Sequence, residues 1–271
     1  MSNIQRKKIL ECIASGKRLD GRALDEYRKI EVEVGISKNA EASVRLRLGK
    51  TEVLAGVKLG ITEPYPDAPD EGTFMTNAEL HPMASEYFEM GRPRIEAIEL
   101  ARVIDRGIRE SGFIDMKKLC IKEGEKVWQV FLDIVALNDD GNMLDAAGLA
   151  ALIALGNAKM PKFNEEEGKI EHELTEEPLP LNHEAMSFNM TFHKIGNQIV
   201  VDVGPEEEAV SDYRLSIAVG DDNGKPRITA MQKGKEGAIS SEDMEKILKL
   251  VEVKWKEMFP KVKEYVFGNG K

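Results

Sequence analysis

Apolar and polar residues alternate with a period of two along three stretches near the start of the chain: YRKIEVEVG (27–35), EASVRLRLG (41–49) and TEVLAGVKLG (51–60). That period sends successive side chains to opposite faces of an extended backbone, and a glycine closes each run, so three antiparallel strands are expected. Between Ile61 and Pro93 the pattern is lost among Pro64, Pro66, Pro69, Pro82 and Pro93. Proline fixes φ and lacks an N–H, so neither a regular helix nor a central strand is expected there. The period then changes. RIEAIELARVIDRGIRES, Arg94 to Ser111, sets Ile95, Ile98, Ala101, Ile104 and Ile108 at helical spacing, and Gly112 follows as a stop. Strands are expected in KKLCIKEG (117–124) and KVWQVFLDIVAL (126–137). They lead into NDDGNMLDAAGLAALIALGNAKMP, Asn138 to Pro161, where a glycine turn opens an apolar helix.

NEEEGKIEHELTEEPLP (164–180) has no apolar period and is acidic and proline-flanked, which predicts an exposed loop or linker. Beyond it HEAMSFNMTFHKIGNQIVVDVG (183–204) and SDYRLSIAVGDDNGKPRITAMQKG (211–234) each suggest a hairpin, turning at Gly196-Asn197 and at Asn223-Gly224. A charged helix from about Ser240 to Lys263 closes the chain. Strands followed by helix thus occur twice, which predicts an α+β protein of two docked layers. The expected divisions are a first domain over 1–163, an acidic linker over 164–184 and a second domain over 185–271.

Composition adds limits. With 42% hydrophobic and 32% charged residues, 271 residues can build a sizeable globular core. The basic, apolar-poor start, MSNIQRKKILECIASGK, reads as a short amphipathic helix and not as a signal peptide. No run reaches the roughly 18 apolar residues of a membrane span. Cys12 and Cys120 form no disulfide framework, so a cytoplasmic location without membrane attachment is expected. A formal net charge of −10 opposes nucleic acid unless a local basic patch or a basic partner supplies the cations.

Candidate chemistry is sparse. His81, His172, His183 and His193 lie on separate segments without the spacing of a zinc site, so no metal is implied. No Walker loop, dinucleotide fingerprint or serine elbow occurs, so no cofactor is implied either. Carboxylates gather in VVDVGPEEEAVSD, as Asp202, Glu206, Glu207, Glu208 and Asp212. Such a group fits a Mg²⁺ or acid site and equally a solvated loop. Arg102, Arg106 and Arg109 stand at i, i+4 and i+7 on one helix, with Arg92 and Arg94 at its entrance. They fit a path for a nucleic-acid backbone, or a salt-bridged face with Glu99, Asp105 and Glu110. At the Gly141 turn, a phosphate would meet Asp139, Asp140 and Asp145. A like charge about 4 Å away costs roughly 4 kcal/mol at an effective dielectric near 20, so the turn suits a plain helix start, with Asn142 as cap and Asp145 answering the dipole.

The order of RLDGR (18–22), GKTEVLAGVKLG (49–60), AIELARVIDRGIRES (97–111), DGNMLDAAGLAALIAL (140–155) and VDVGPEEEAVSDYRLSIAV (201–219) resembles RNase PH-like proteins, over roughly Arg18 to Glu264. More narrowly it resembles the non-catalytic RNase PH-like ring subunit of the archaeal exosome. The resemblance implies an RNase PH-like fold of two β-β-α-type layers, the first like domain 2 of ribosomal protein S5. It implies a catalytic RNase PH-like partner that degrades RNA 3′ to 5′ by phosphorolysis. Three such heterodimers would form a hexameric ring around single-stranded RNA, with RNA-binding cap subunits on one face.

The family's phosphate position falls on Gly141, Asn142 and Met143, where catalytic members carry Gly, then Thr or Ser, then Arg or Ser. Their arginine-rich segment falls on SEYFEMGRPR (85–94), which has Glu86 and Glu89, with Arg92 and Arg94 as partial substitutes. Their catalytic carboxylates fall on Asp202 and Glu208, with Asp212 at a third acidic position, and these read as remnants. Arg102 and Arg106 match positions at which this subunit type reaches the RNA and shapes its partner's active site. The expected function is therefore that of a non-catalytic, RNA-holding subunit. Two rivals are a phosphorolytic 3′–5′ exoribonuclease active in its own right and an unrelated nucleotide-binding module, for which the chain lacks a glycine-rich phosphate loop.

Overall fold

The computed structural model describes residues 1–164 and 169–268. Helix α1 (Asn3–Ala14) opens the chain with a capping box at Ser2 and Gln5. Strands β1 (Ile30–Val34), β2 (Ala42–Leu48) and β3 (Thr51–Thr62) form the expected antiparallel meander. Strand β4 (Thr73–Leu80) precedes α2 (Ile95–Ser111), and β5 (Cys120–Lys122) and β6 (Lys126–Asn138) precede α3 (Met143–Gly156). The first sheet runs β1-β2-β3-β6-β4, with β5 also on β6.

Beyond α3, β7 (Lys159–Asn164) and β8 (Lys169–Pro178) pair only with each other. The second sheet runs β10-β9-β11-β12 and is built from β9 (Ser187–Ile195), β10 (Gln198–Val201), β11 (Tyr213–Asp222) and β12 (Lys225–Gly234). Short α4 (Pro205–Val210) follows β10, and α5 (Ser241–Phe267) ends the fold. Both hairpins turn where expected, with Asn223 and Gly224 at φ 54° and 79° as the primed turn requires. Among the described residues no helix is long and apolar enough to cross a membrane.

Three expectations change. The proline-rich stretch 61–93 contains β4, a strand that pairs with β6 alone and runs parallel to it. Its prolines, Pro69 and Pro82, flank the strand without entering it, so the ladder loses no donor. The acidic segment expected to be a linker is in part β8, which holds itself to β7 through Lys159–Glu176 and Lys162–Glu173 pairs, while residues 165–168 lie outside the described residues. On α2 the buried face is Ala97, Leu100, Ile104, Gly107 and Ile108, whereas Ile95 and Ile98 are 71% and 43% exposed. The apolar stripe continues onto the outer face at the start of the helix.

Helix α3 explains how the layers join. Every residue from Leu144 to Leu155 is buried, as a helix that is apolar all round must be. It packs on β2 and β3 of the first sheet and on β9 of the second, beside α2 and α5. Alternation along β9 divides its contacts. Asn189 lies against Gly107 and Gly148, and Thr191 bonds Asp145 of α3, while Phe188 turns to Phe259 of α5. Gly156 lies so close to Val266 that a Cβ there would strike the Val266 carbonyl. Gly156→Ala is therefore expected to cost about 1–3 kcal/mol by overpacking, measured by denaturant unfolding, while Gly56→Ala, with open space at its Cβ position, is expected to cost nothing.

Candidate functional site

The outer face of α2 carries the expected arginines, and the fold separates them by what they bond. Arg109 folds back onto Asp105 at 2.9 Å, donates to the Phe74 carbonyl at 2.8 Å and lies over the Phe74 ring. It is committed to the protein's own edge strand. Glu99 is drawn the other way, to Arg214 of β11 at 2.6 Å. With Asp105 and Glu99 engaged, Arg102 and Arg106 are exposed and make no hydrogen bond or ion pair among the described residues. The face is thus salt-bridged in part, through Arg109 and Asp105, and Arg102 and Arg106 stand outside that pairing. The two free cations line an open groove of about 770 Å³ between α2, Thr76 of β4 and Gln232 of β12, with Ile95 and Ile98 at one end. At the helix entrance Arg94 pairs with Glu89, and Arg92 has no partner among the described residues.

The start of α3 is built differently from a simple cap. Asn142 holds a left-handed backbone, φ 55° and ψ 41°, and its side chain makes no capping bond. Its amide nitrogen instead donates to Asp145 at 3.1 Å and to Asp202 at 2.9 Å. Asp145 does not face the helix dipole from solvent. It is fully buried, accepting from the Thr191 hydroxyl at 2.6 Å, the Thr191 N–H at 3.1 Å and the Tyr27 hydroxyl at 2.9 Å. The acid that serves the helix N-terminus comes from α4: Glu208 accepts the Asn142 N–H at 2.8 Å. Its carboxylate sits where an incoming phosphate would need the same N–H. Gly141, at φ 82°, lies against the Val203 carbonyl and Gly204, so only glycine fits this crossing.

Asp202 is the centre of this arrangement. Its carboxylate has no exposure and takes bonds from Arg28 at 2.7 and 2.9 Å, from the Arg28 N–H at 2.7 Å, from Arg22 at 2.8 Å and from Asn142. Burial by itself raises its pKa, but the Arg28 bonds and charge outweigh that and hold the group below the usual carboxylate range. Arg28 also donates to the carbonyls of Asp140 and Gly141 at 2.7 and 3.0 Å. Arg18, itself buried, grips Glu207 and the carbonyls of Val201 and Asp202. The RLDGR segment and Arg28 thus clamp the β10–α4 loop onto the Gly141 turn. Two of the three carboxylates singled out from the sequence, Asp202 and Glu208, meet at Asn142. Asp212 does not join them; it is exposed, and its carboxylate makes no bond among the described residues. Sequence reasoning gives no role to Arg18, Arg22, Tyr27 and Arg28: RLDGR spells out only the first two, and Tyr27 and Arg28 stand unmarked at the head of the YRKIEVEVG run.

A cavity of about 140 Å³ lies beside this clamp, lined by Met143, His193, Glu208, Arg214 and Lys235 among others. Burial, then the charges of Lys235 and Arg214, push the His193 pKa down to about 3, so the ring is neutral at pH 7 and bonds the Ser211 hydroxyl at 3.1 Å. Burial outweighs its hydrogen bonds at Asp145 and lifts that pKa to about 6.

Two outcomes follow from these contacts. Arg28→Met leaves Asp202 buried with its main cation gone, and unfolding at pH 7 is expected to become easier by about 3 kcal/mol. The second concerns pH. As pH falls from 6.5 to about 3, unfolded His193 takes a proton that the folded ring refuses, so its contribution lowers stability by up to about 1.4 kcal/mol per pH unit. Folded Asp145 takes its proton near 6, before the unfolded group does, and raises stability as pH falls towards 4. Denaturant unfolding at pH 7 and pH 5 should show the stability deficit of His193→Gln shrinking at the lower pH. Parallel pH curves would contradict it.

Residues 26–161 match domain 1, and residues 187–251 domain 2, of the 3′ exoribonuclease family. The chain is 46% identical over 264 residues to exosome complex component Rrp42 of Thermococcus kodakarensis, covering 97% of this chain and 95% of that one. To the Rrp42 component of Methanothermobacter thermautotrophicus it is 44% identical over 266 residues, covering 95% and 96%. Its fold is similar to a chain of the Archaeoglobus fulgidus exosome with RNA bound to the active site, at TM-score 0.84 and 41% identity over 95% of this chain and 98% of that one. An archaeal exosome core gives TM-score 0.79 and 38% identity, covering 95% and 97%. On sequence and fold over nearly its whole length, the chain belongs to the 3′ exoribonuclease family, with its α+β RNase PH-like fold.

Proposed function

We propose that this protein is the non-catalytic RNase PH-like subunit of an archaeal exosome, holding single-stranded RNA for a catalytic RNase PH-like partner that degrades it 3′ to 5′ in the cytoplasm. Three heterodimers would close into a hexameric ring, with RNA-binding cap subunits on one face. The observation that carries this reading is the pair Arg102 and Arg106, without partners among the described residues, on an exposed groove in which Asp105 is bonded to Arg109 and Glu99 to Arg214. Arg92 offers a third free cation at the helix entrance, whereas Arg94 and Arg109 would have to leave Glu89 and Asp105 to join it. Ile95 and Ile98 at the end of the groove, and the open edges of β4 and β12, suit cover by a neighbouring subunit. Such cover reconciles an acidic chain with RNA, since arginines of two subunits would line the channel while the outer surface stays acidic.

Phosphorolysis by this chain itself is disfavoured by Glu208, whose carboxylate takes the Asn142 N–H, and by Asp202, which is saturated by Arg22, Arg28 and Asn142. In this reading Asp202, Glu208 and Asp212 are remnants. One observation keeps the active-enzyme alternative specific: the Met143 and Leu144 N–H groups at the start of α3 have no acceptor among the described residues, and Arg214 and Lys235 line the adjoining cavity.

Arg102→Ala with Arg106→Ala in the co-purified pair tests the proposal. Removing two phosphate contacts is expected to weaken single-stranded RNA binding about tenfold near physiological salt and to flatten the log–log salt slope by about 1.4. Unchanged affinity and slope would remove these arginines from the RNA path.

A further inference from the structure

The loop between β4 and α2, residues 81–94, carries three of the most exposed large apolar side chains of the molecule, Met83, Tyr87 and Met90, at 73%, 77% and 78%. Next to it lies a cavity of about 300 Å³, whose lining includes Asn77, Glu79, Tyr87, Arg92 and Glu96. The loop is anchored. Ala84 is buried, its N–H donates to the His81 carbonyl at 2.9 Å, and its own carbonyl accepts the N–H of Asp139 at 2.9 Å, tying the loop to the turn before α3. Tyr87 is therefore held out on an anchored loop, and nothing among the described residues covers it.

The polar groups around the ring divide into spent and free. Arg94 is paired with Glu89, and Glu79 with His81 at 3.0 Å. The Arg92 guanidinium, the Glu96 carboxylate and the Asn77 amide make no bond among the described residues. An exposed aromatic face beside a free cation, a free carboxylate and a free amide matches the parts of a nucleotide. The ring stacks on a base, the cation faces phosphate, and the carboxylate or amide oxygen accepts from an exocyclic amino group. A free anion would use Arg92 alone and leave the exposed Tyr87 ring and the Glu96 and Asn77 groups without a role. An apolar protein surface fits poorly too, since it would strip water from Arg92 and Glu96 without pairing them. The volume lies at the small end of ligand pockets, suited to a single base. Its helical lining, Ala97, precedes Arg102 by five residues, roughly 8 Å along α2. One strand could thus engage both places.

We infer that the cavity between the 81–94 loop and the start of α2 is a nucleobase pocket for single-stranded RNA, in which Tyr87 stacks on the base and Arg92 faces the adjoining phosphate. This rests on the reading of Arg102 and Arg106 as an RNA path. The test uses the complete complex of this chain with its catalytic partner and an oligoribonucleotide carrying one 4-thiouridine. Photocrosslinks are mapped by mass spectrometry, and affinity is measured for the wild type, Tyr87→Phe, Tyr87→Ala and Arg102→Ala/Arg106→Ala. A crosslink at Tyr87, an affinity loss of about five- to a hundredfold in Tyr87→Ala and retention in Tyr87→Phe are expected, because the ring and not the hydroxyl does the stacking. If Tyr87→Ala binds like the wild type and no crosslink falls in 81–94 while the double arginine variant is weakened, the pocket is wrong and the RNA path stands. Should the arginine variant also bind normally, both readings fall. Amide protection of the loop by the partner without RNA, and no crosslink, assigns the cavity to a subunit contact and overturns the inference.

Discussion

A carboxylate shut away from water, Asp202, determines how the two halves of this protein meet. An isolated buried charge costs far more than a fold can spare, so it must be surrounded by donors. Arg28 and Arg22 supply the charge and Asn142 the remaining amide, each from a segment distant in sequence. Because Arg28 also holds the carbonyls of Asp140 and Gly141, the same guanidinium that neutralises Asp202 sets the entry of α3. From there the order of layers follows. The apolar helix runs between the sheets, and Asp145, one turn in, is bonded by Thr191 of the second sheet and Tyr27 of the first half.

That clamp also bears on the neighbouring chemistry. The turn before α3 has the backbone form of an anion site, a glycine at positive φ leading into a helix N-terminus. Its occupant is a side chain of the same molecule, Glu208. Acids are concentrated at the clamp, and arginines without partners among the described residues stand on α2. Proposed as a ring subunit, the chain would contribute attraction for a polyanion and leave phosphorolysis to its partner.

Much of this was legible in sequence wherever the signal was local. Period-two patterns located β1, β2 and β3, the 3.6-residue period located α2, an unbroken apolar run after a glycine turn located α3, and Asn-Gly and Gly-Asn turns located both hairpins of the second sheet. Strand β4 was hidden because prolines on either side of an edge strand resemble prolines within a loop. Strand β8 was hidden because its acidic residues lack apolar alternation and its order comes from pairing with β7, which no local pattern reveals; Phe163 and Ile170 turn the arm to the core. The arginine stripe on α2 was visible, but not its division into free and bonded members, since Glu99 is removed by Arg214, 115 residues away in sequence. The role of Asn142 was misjudged for the same reason. A cap is a local device, whereas its true partners, Asp202 and Glu208, lie 60 and 66 residues on.

Release of nucleoside diphosphates from a 3′-labelled or unlabelled oligoribonucleotide, with inorganic phosphate and the isolated chain, tests the central claim most directly, with the co-purified pair as the positive control. The account predicts no release above background from the isolated chain at any phosphate concentration, and phosphate-dependent release from the pair. Phosphate-dependent release by the isolated chain would contradict it, because Glu208 would then yield the α3 N-terminus to substrate and the carboxylates held here as remnants would be working groups.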